Sequence, residues 1–314
     1  MPELILHHYT TSPFSEKLRL ILGYKKLAWT SVIVPPINPK PDVLALTGGY
    51  RKTPFLQIGA DIYCDSALIC DVLEHLQPEP PLYPQSGKGL ARILAQWADC
   101  TLFWAAIAGP RSAAHMHGGA PPEAASAFIA DRTAMFAGMV RLRPADAAAA
   151  YKSYLRRLSD MLDGRPYLLG SQPCIADFAA YHPLWLVHTG MPPEADVLRH
   201  TPAVVDWMDR MQAVGRHRRE EPFDAARAIA TAAGSEPAPI GHGPLCDSIF
   251  QDDHGIALGS RVTVAAESFG QEPTEGRLIA ATRTHYSLRR IDARAGTVHV
   301  HFPRIGYVLE RADE

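Results

Sequence analysis

The chain has 314 residues, is 47% hydrophobic and 20% charged, and carries a formal net charge of −2. That mixture is too apolar for a disordered chain, and the near balance of charge leaves no strong field to draw in nucleic acid or anionic lipid. The longest apolar stretch, around Phe103–Trp104–Ala105–Ala106–Ile107–Ala108, falls short of the roughly 18 residues a spanning helix needs, and the N-terminus lacks the basic segment and apolar core of a signal peptide. Five cysteines, at 64, 70, 100, 174 and 246, are odd in number, scattered and without a CxxC pair. They suit neither a disulfide framework nor a zinc site, and the expectation is a soluble protein of the reducing cytoplasm.

Residues 4–8 form a β-prone run, followed by a turn at Thr10–Thr11–Ser12 and Pro13 at the first turn of a helix. Phe14, Leu18 and Leu20–Leu22 recur at helical spacing, which places Glu16, Lys17 and Arg19 outward. Strands are expected at 29–34, 54–58 and 61–63, and a helix at 66–76, giving the order β-α-β-loop-β-β-α. QPEPPLYPQS at 77–86 holds four prolines in ten residues and ends this part. Helices follow at 90–108, 122–140, 146–163, 175–189, 203–214 and 224–233. GSEPAPIGHGP at 234–244 stops the helical region. Strand-like runs at 261–265, 275–282, 286–291 and 297–302, rich in Val, Ile and Thr, then predict a small all-β module of about five strands, most simply a compact barrel.

Three short segments carry candidate chemistry. Ser12–Pro13–Phe14–Ser15 lies between the first strand and a helix N-terminus, where unpaired amides and a partial positive charge favour an anion. Taken alone, Ser12 reads equally as an ordinary N-cap. Arg51–Lys52–Thr53–Pro54–Phe55 enters a strand with Pro at its first residue, which a strand tolerates. Asp65–Ser66 opens a helix and is also consistent with simple capping.

In this order and spacing the three segments resemble those of the cytosolic glutathione transferase family, in a bacterial-like form. YTTSPFSEKLRLIL is similar to the family's active-site turn and first helix, RKTPFLQI to the segment carrying its cis-proline, and CDSALICDVLE to the acidic–Ser pair that binds the γ-glutamyl end of glutathione. YLLGSQPCIADFAAYHPLW resembles the capping-box segment of the family's helical domain, with Asp177 closing the box. The resemblance spans about residues 1–225. It implies a thioredoxin-like α/β domain over 1–78 and an all-helical domain over 87–233. The all-β, barrel-like module at 245–312 lies outside it.

The resemblance also implies site residues. Ser12 is the expected donor to the glutathione thiolate, with Ser15 as the alternative. Thr53 and Pro54 are expected to pair with the tripeptide backbone, and Asp65 and Ser66 to hold its γ-glutamyl end. Arg51 and Lys52, with Lys40 as a further candidate, would meet its glycine carboxylate. Phe103 and Trp104, near Ala108, would line the acceptor site or belong to the core. Ser in place of Cys at position 12 favours conjugation or isomerisation over disulfide reduction. The expected function is transfer of glutathione to a small hydrophobic electrophile by a homodimer, with no metal, nucleic acid or membrane partner. The alternative is a non-catalytic protein of the same fold that binds glutathione or a hydrophobic ligand.

Cys174 stands where relatives usually carry Ser or Thr, and a thiol is a poor acceptor, so a weaker cap is expected. Cys64 reads as a buried strand-end residue. His299 and His301 fall on one face of a strand, and metal binding there would need a third ligand. His115 and His117 sit in a Gly-rich loop, and Arg216–Arg219 read as cations at a helix C-terminus. The β module contains no Lys, and its Arg residues are matched by acidic ones. Val262, Val264, Leu278, Ile279, Leu288, Ile291, Val298 and Val300 are expected to form its core, and the module to dock on the helical domain.

Overall fold

A single sheet of nine strands runs through the protein, in the order β2-β1-β3-β4-β8-β7-β6-β5-β9. The computed structural model describes residues 2–108, 122–191, 196–215 and 223–312. His115, His117 and Arg216–Arg219 lie outside the described residues. The N-terminal unit comprises β1 (Ile5–His8), α1 (Pro13–Tyr24), β2 (Thr30–Ile33), α2 (Pro41–Thr47), β3 (Phe55–Ile58), β4 (Asp61–Cys64) and α3 (Ser66–Leu76). β1 pairs in parallel with β2 and antiparallel with β3, and β3 pairs antiparallel with β4.

The helical half contains α4 (Lys88–Trp97), a π-helical turn (Ala98–Leu102), α5 (Phe103–Ile107), α6 (Pro122–Met135), α7 (Pro144–Met161), α8 (Ile175–Gly190), α9 (Pro202–Ala213) and α10 (Ala225–Ala233). The expected single helix over 90–108 is thus interrupted, and the interruption carries Asp99. Asp177 closes the box at the start of α8. It accepts hydrogen bonds from the backbone N–H groups of Leu168 (2.9 Å) and Cys174 (3.0 Å) and from the Trp207 indole (3.0 Å). The Cys174 thiol donates to the same carboxylate at 3.3 Å, so it serves this cap as a donor.

Two corrections concern burial. Glu16, Lys17 and Arg19 do not face solvent: all three are buried, because α1 packs against both α3 and α8. Each charge is compensated: Arg19 pairs with Glu16 at 2.6 Å and Lys17 with Asp99 at 2.5 Å. Ile291, expected in the β core, is 76% exposed, whereas Val262, Val264, Leu278, Leu288, Val298 and Val300 are buried as expected.

The C-terminal unit is all-β with five strands: β5 (Arg261–Ala266), β6 (Thr274–Ala281), β7 (His285–Asp292), β8 (Gly296–Pro303) and β9 (Tyr307–Arg311). Its main docking surface is the N-terminal unit and not the helical domain. β8 pairs in parallel with β4, aligning Asp61 with His299, Ile62 with Val300 and Tyr63 with His301. An open β4 edge would be a row of unpaired backbone groups, and β8 covers it. One apolar cluster accordingly joins Ile5, Val32, Phe55 and Ile62 to Leu288, Val300 and Phe302. α10 seals this junction, with the Gln57 side-chain amide donating to Ala228 O at 2.8 Å.

Candidate glutathione site

The start of α1 supplies the first wall. Ser12 is its N-cap: the side-chain oxygen accepts the Ser15 backbone N–H at 3.2 Å, and Pro13 occupies the first turn. That bond uses a lone pair of Ser12 and leaves its hydroxyl hydrogen to donate elsewhere. Ser12 is only 2% exposed, and the Ser15 hydroxyl is buried with no hydrogen-bond partner among the described residues. Two hydroxyls therefore remain as donors at a helix N-terminus, which is the arrangement a thiolate would need.

The second wall precedes β3. The Thr53–Pro54 peptide bond is cis. Among the described residues neither the backbone N–H nor the C=O of Thr53 has a hydrogen-bond partner. A main-chain donor and acceptor left unpaired just before a strand can form a ladder with a bound peptide.

The third wall is the start of α3. Asp65 holds a left-handed backbone conformation (φ 76°), and its Oδ1 caps the helix by accepting Ala67 N–H at 2.8 Å. Its backbone N–H donates to Tyr50 Oη at 3.1 Å. The Ser66 hydroxyl accepts from Lys17 Nζ at 3.3 Å and keeps its hydrogen for a ligand carboxylate.

The predicted cations divide. Arg51 is committed to protein carboxylates, with Asp131 at 2.6 Å and Glu272 at 2.5 Å, so it is not a free partner for a ligand carboxylate. Lys40 donates to Arg51 O at 3.0 Å, and its pKa is lowered to about 8 by burial, reinforced by Arg132 and Arg51. Lys52 makes no ion pair among the described residues. Its ammonium lies over the rings of Tyr50 (5.4 Å) and Tyr307 (5.0 Å), and burial lowers its pKa against the opposing pull of Asp65 and Cys64.

Their aromatic neighbours separate the two acceptor candidates. Phe103 is buried against Phe14 and His182, with ring centroids at 4.8 and 5.7 Å. Trp104 is partly exposed and packs on Phe136 (5.4 Å) and Phe269 (5.1 Å). Phe269 belongs to the β5–β6 connection, where Gly270 N–H also donates to Met135 O at 3.0 Å.

Several site residues have no counterpart among the sequence-predicted ones: Lys17, Tyr50, Asp99, His182, Phe269 and Tyr307. Burial opposes the charge of Lys17, but Asp99 outweighs it and raises the lysine pKa. Burial would likewise raise Asp99, and Lys17 and His182 hold it below the ordinary carboxylate value. Burial lowers the His182 pKa despite its bond to Asp99. Among the described residues no group of three or more His, Cys, Asp or Glu is placed to hold a metal. His301 is instead a bridge, with Nε2 3.0 Å from Asp61 and Nδ1 2.7 Å from the Ser287 hydroxyl. Cys64 is buried and its pKa is pushed well up, first by burial and then by Asp65.

A helix-capping serine, an unpaired segment before β3 and an acidic helix cap thus stand on a thioredoxin-like unit that is followed by a helical domain. Models of the glutathione S-transferase N-terminal and C-terminal domains match residues 6–81 and 124–210. The chain belongs to the glutathione S-transferase family. A GST-like protein from Pseudomonas syringae is 40% identical with a TM-score of 0.80, over 99% of this chain and 100% of that one, and so includes the C-terminal β unit. A glutathione S-transferase from Methylobacillus flagellatus, solved with glutathione bound, shares the fold at 21% identity and a TM-score of 0.51, over 68% of this chain and 100% of that one. FtsZ-localized protein A of Caulobacter vibrioides is 26% identical over 197 residues, 57% of this chain and 74% of that protein.

Proposed function

We propose that the protein binds glutathione along Thr53 and transfers it to a small hydrophobic electrophile, with Ser12 donating a hydrogen bond to the thiolate. A free thiol titrates near ~8.5, and a shift of two units needs about 2.7 kcal/mol of preference for the charged form. One charge-assisted hydrogen bond contributes about 1.5–3 kcal/mol and a helix N-terminus about 0.3–1 kcal/mol. The thiolate sulfur then bonds to the electrophilic carbon, whose bond to a leaving group breaks, or, in an addition, whose bond to nitrogen or oxygen opens so that this heteroatom takes up a proton. Asp65 and Ser66 hold the γ-glutamyl end and Lys52 faces the glycine carboxylate. Trp104 borders the acceptor.

The observation that carries this reading is the main chain of Thr53, unpaired among the described residues, together with a Ser12 hydroxyl that caps α1 as an acceptor only. We place the reaction in the reducing cytoplasm, as part of detoxification, which the five free thiols support. A homodimer is supported by the exposed Leu90 and Ile93 on α4. A second reading, glutathione or a hydrophobic ligand bound without turnover, is favoured by the ion pairs that withdraw Arg51 from ligand binding. Calorimetric titration with glutathione, followed by turnover against halonitroarenes, isothiocyanates and epoxides, separates the two. Binding with turnover supports the transferase, binding alone supports the second reading, and absence of binding refutes both.

A further inference from the structure

The C-terminal β unit, which most of the family resemblance leaves unassigned, reaches into the glutathione site through one side chain. Tyr307, the first residue of β9, is buried, and its hydroxyl donates to Asp65 Oδ2 at 3.0 Å. The two oxygens of Asp65 are thereby divided: Oδ1 caps α3 and Oδ2 is held by a residue 242 positions downstream. Its main-chain N–H is held as well, by Tyr50. Two bonds thus hold the carboxylate and a third holds the main chain, which is in a left-handed conformation that non-glycine residues rarely adopt. Each carboxylate oxygen retains a lone pair, so the group remains able to accept from an ammonium.

We propose that Tyr307 is a positioning residue for glutathione: it fixes the Asp65 carboxylate in the orientation that accepts the α-ammonium of the γ-glutamyl group. The inference rests on the glutathione reading above and makes the β unit a structural part of that site. The same ring flanks the Lys52 ammonium, so one residue of the β unit contacts the groups meant for both ends of the tripeptide. Burial, reinforced by the charge of Asp65, pushes phenol ionisation of Tyr307 well above its ordinary range, so the hydroxyl keeps its proton as a donor. The pairing is maintained from outside the N-terminal unit by the β4–β8 and β5–β9 ladders.

The test is calorimetry on the full chain with two ligands, glutathione and the same tripeptide lacking its α-amino group. Tyr307→Phe removes the hydroxyl and keeps the ring over Lys52. Glutathione should bind the variant about fivefold more weakly than wild type, as expected for one lost orienting hydrogen bond, while the deaminated analogue binds both proteins equally. In an Asp65→Asn background Tyr307→Phe should have no further effect. Equal affinity of both proteins for glutathione overturns the inference alone, as does an equal loss for both ligands, which marks a merely structural role. Tighter glutathione binding by the variant also overturns it, because Tyr307 would then compete with the ligand. Failure of the wild-type chain to bind glutathione overturns the glutathione reading, and this inference with it.

Discussion

Lys17 Nζ and Asp99 Oδ2 stand 2.5 Å apart, joining α1 of the N-terminal unit to the π-helical turn of the helical domain. Asp99 also accepts from His182 Nε2 at 2.9 Å, and Lys17 reaches Ser66 at 3.3 Å. A buried polar chain therefore runs from the helical domain to the γ-glutamyl end of the candidate site. Removing one partner of such a pair leaves the other charge in low dielectric without compensation.

Asp99→Asn should consequently destabilise the protein by about 3 kcal/mol, the low end for breaking a buried pair. The pH dependence has a definite sign. Folding lowers the Asp99 pKa, so its contribution is complete above the ordinary carboxylate value and is lost as pH falls through the lower folded value. Urea unfolding at a series of pH values should show a shallower acid limb in the variant. Superimposable acid limbs would show that the pair contributes no linkage.

Ser12→Ala removes the proposed thiolate donor and leaves the fold intact. The bound thiol pKa should rise by about one to two units, because a bond made only to the charged form is lost. Glutathione affinity should change little, since the main chain of Thr53 and the anchors at Asp65 and Ser66 remain. Thiolate ultraviolet absorbance against pH reads the shift. An unchanged curve would transfer the role to Ser15, whose buried hydroxyl has no partner among the described residues.

Much of this site was legible in the chain itself. Ser12, Thr53–Pro54 and Asp65–Ser66 each sit at an element boundary that local sequence marks, and the structure places them at a helix start, a strand entry and a helix start. Lys17 was not legible, because a helix carrying Glu16, Lys17 and Arg19 reads as one with a solvated face. Its partner lies 82 residues away in a turn that no local pattern announces. The partners of Arg51 were not legible for the same reason, since its carboxylates come from the helical domain and the β unit. Tyr307 and Phe269 reach the site only because β8 adds to β4, and parallel pairing between distant strands has no local sequence signature.

Gly49 marks where the β unit approaches the N-terminal unit most closely. A Cβ at this position would lie 1.9 Å from Pro273 O, a contact no side chain can make without moving the backbone. The neighbouring Tyr50 N–H donates to Thr274 Oγ1 at 3.0 Å, and Thr274 Oγ1 donates to Thr47 O at 3.1 Å, so the two segments are clamped on each other there. Gly49→Ala should cost about 1–3 kcal/mol by overpacking. It should also weaken glutathione binding if the displaced β unit carries Tyr307 away from Asp65. Thermal unfolding and calorimetry on the same preparation check both effects, and a variant with wild-type melting temperature would contradict the close approach.

The shared sheet makes a prediction about cooperativity. Phe55 and Ile62 of the N-terminal unit lie in one apolar cluster with Leu288, Val300 and Phe302 of the β unit, and β4 and β8 share a hydrogen-bond ladder. Unfolding the β unit alone would expose that cluster and the β4 edge together, so neither unit should open without the other. All five tryptophans, at 29, 97, 104, 185 and 207, lie outside the β unit, and all but Trp104, which packs on Phe269, report the other two units. Amide hydrogen exchange in β7 and β8 reports the β unit directly. In the full chain the free energy of opening from exchange at Leu288 and Val300 should match that at Leu6 and Leu56, and the fluorescence transition should coincide with it. A chain truncated after Gly234 should lose solubility or melt at markedly lower temperature, because it bares an unpaired strand edge and an apolar face. Exchange in β7 and β8 through a separate, lower-energy opening, with a truncated chain as stable as the full one, would show that the β unit is an independent appendage.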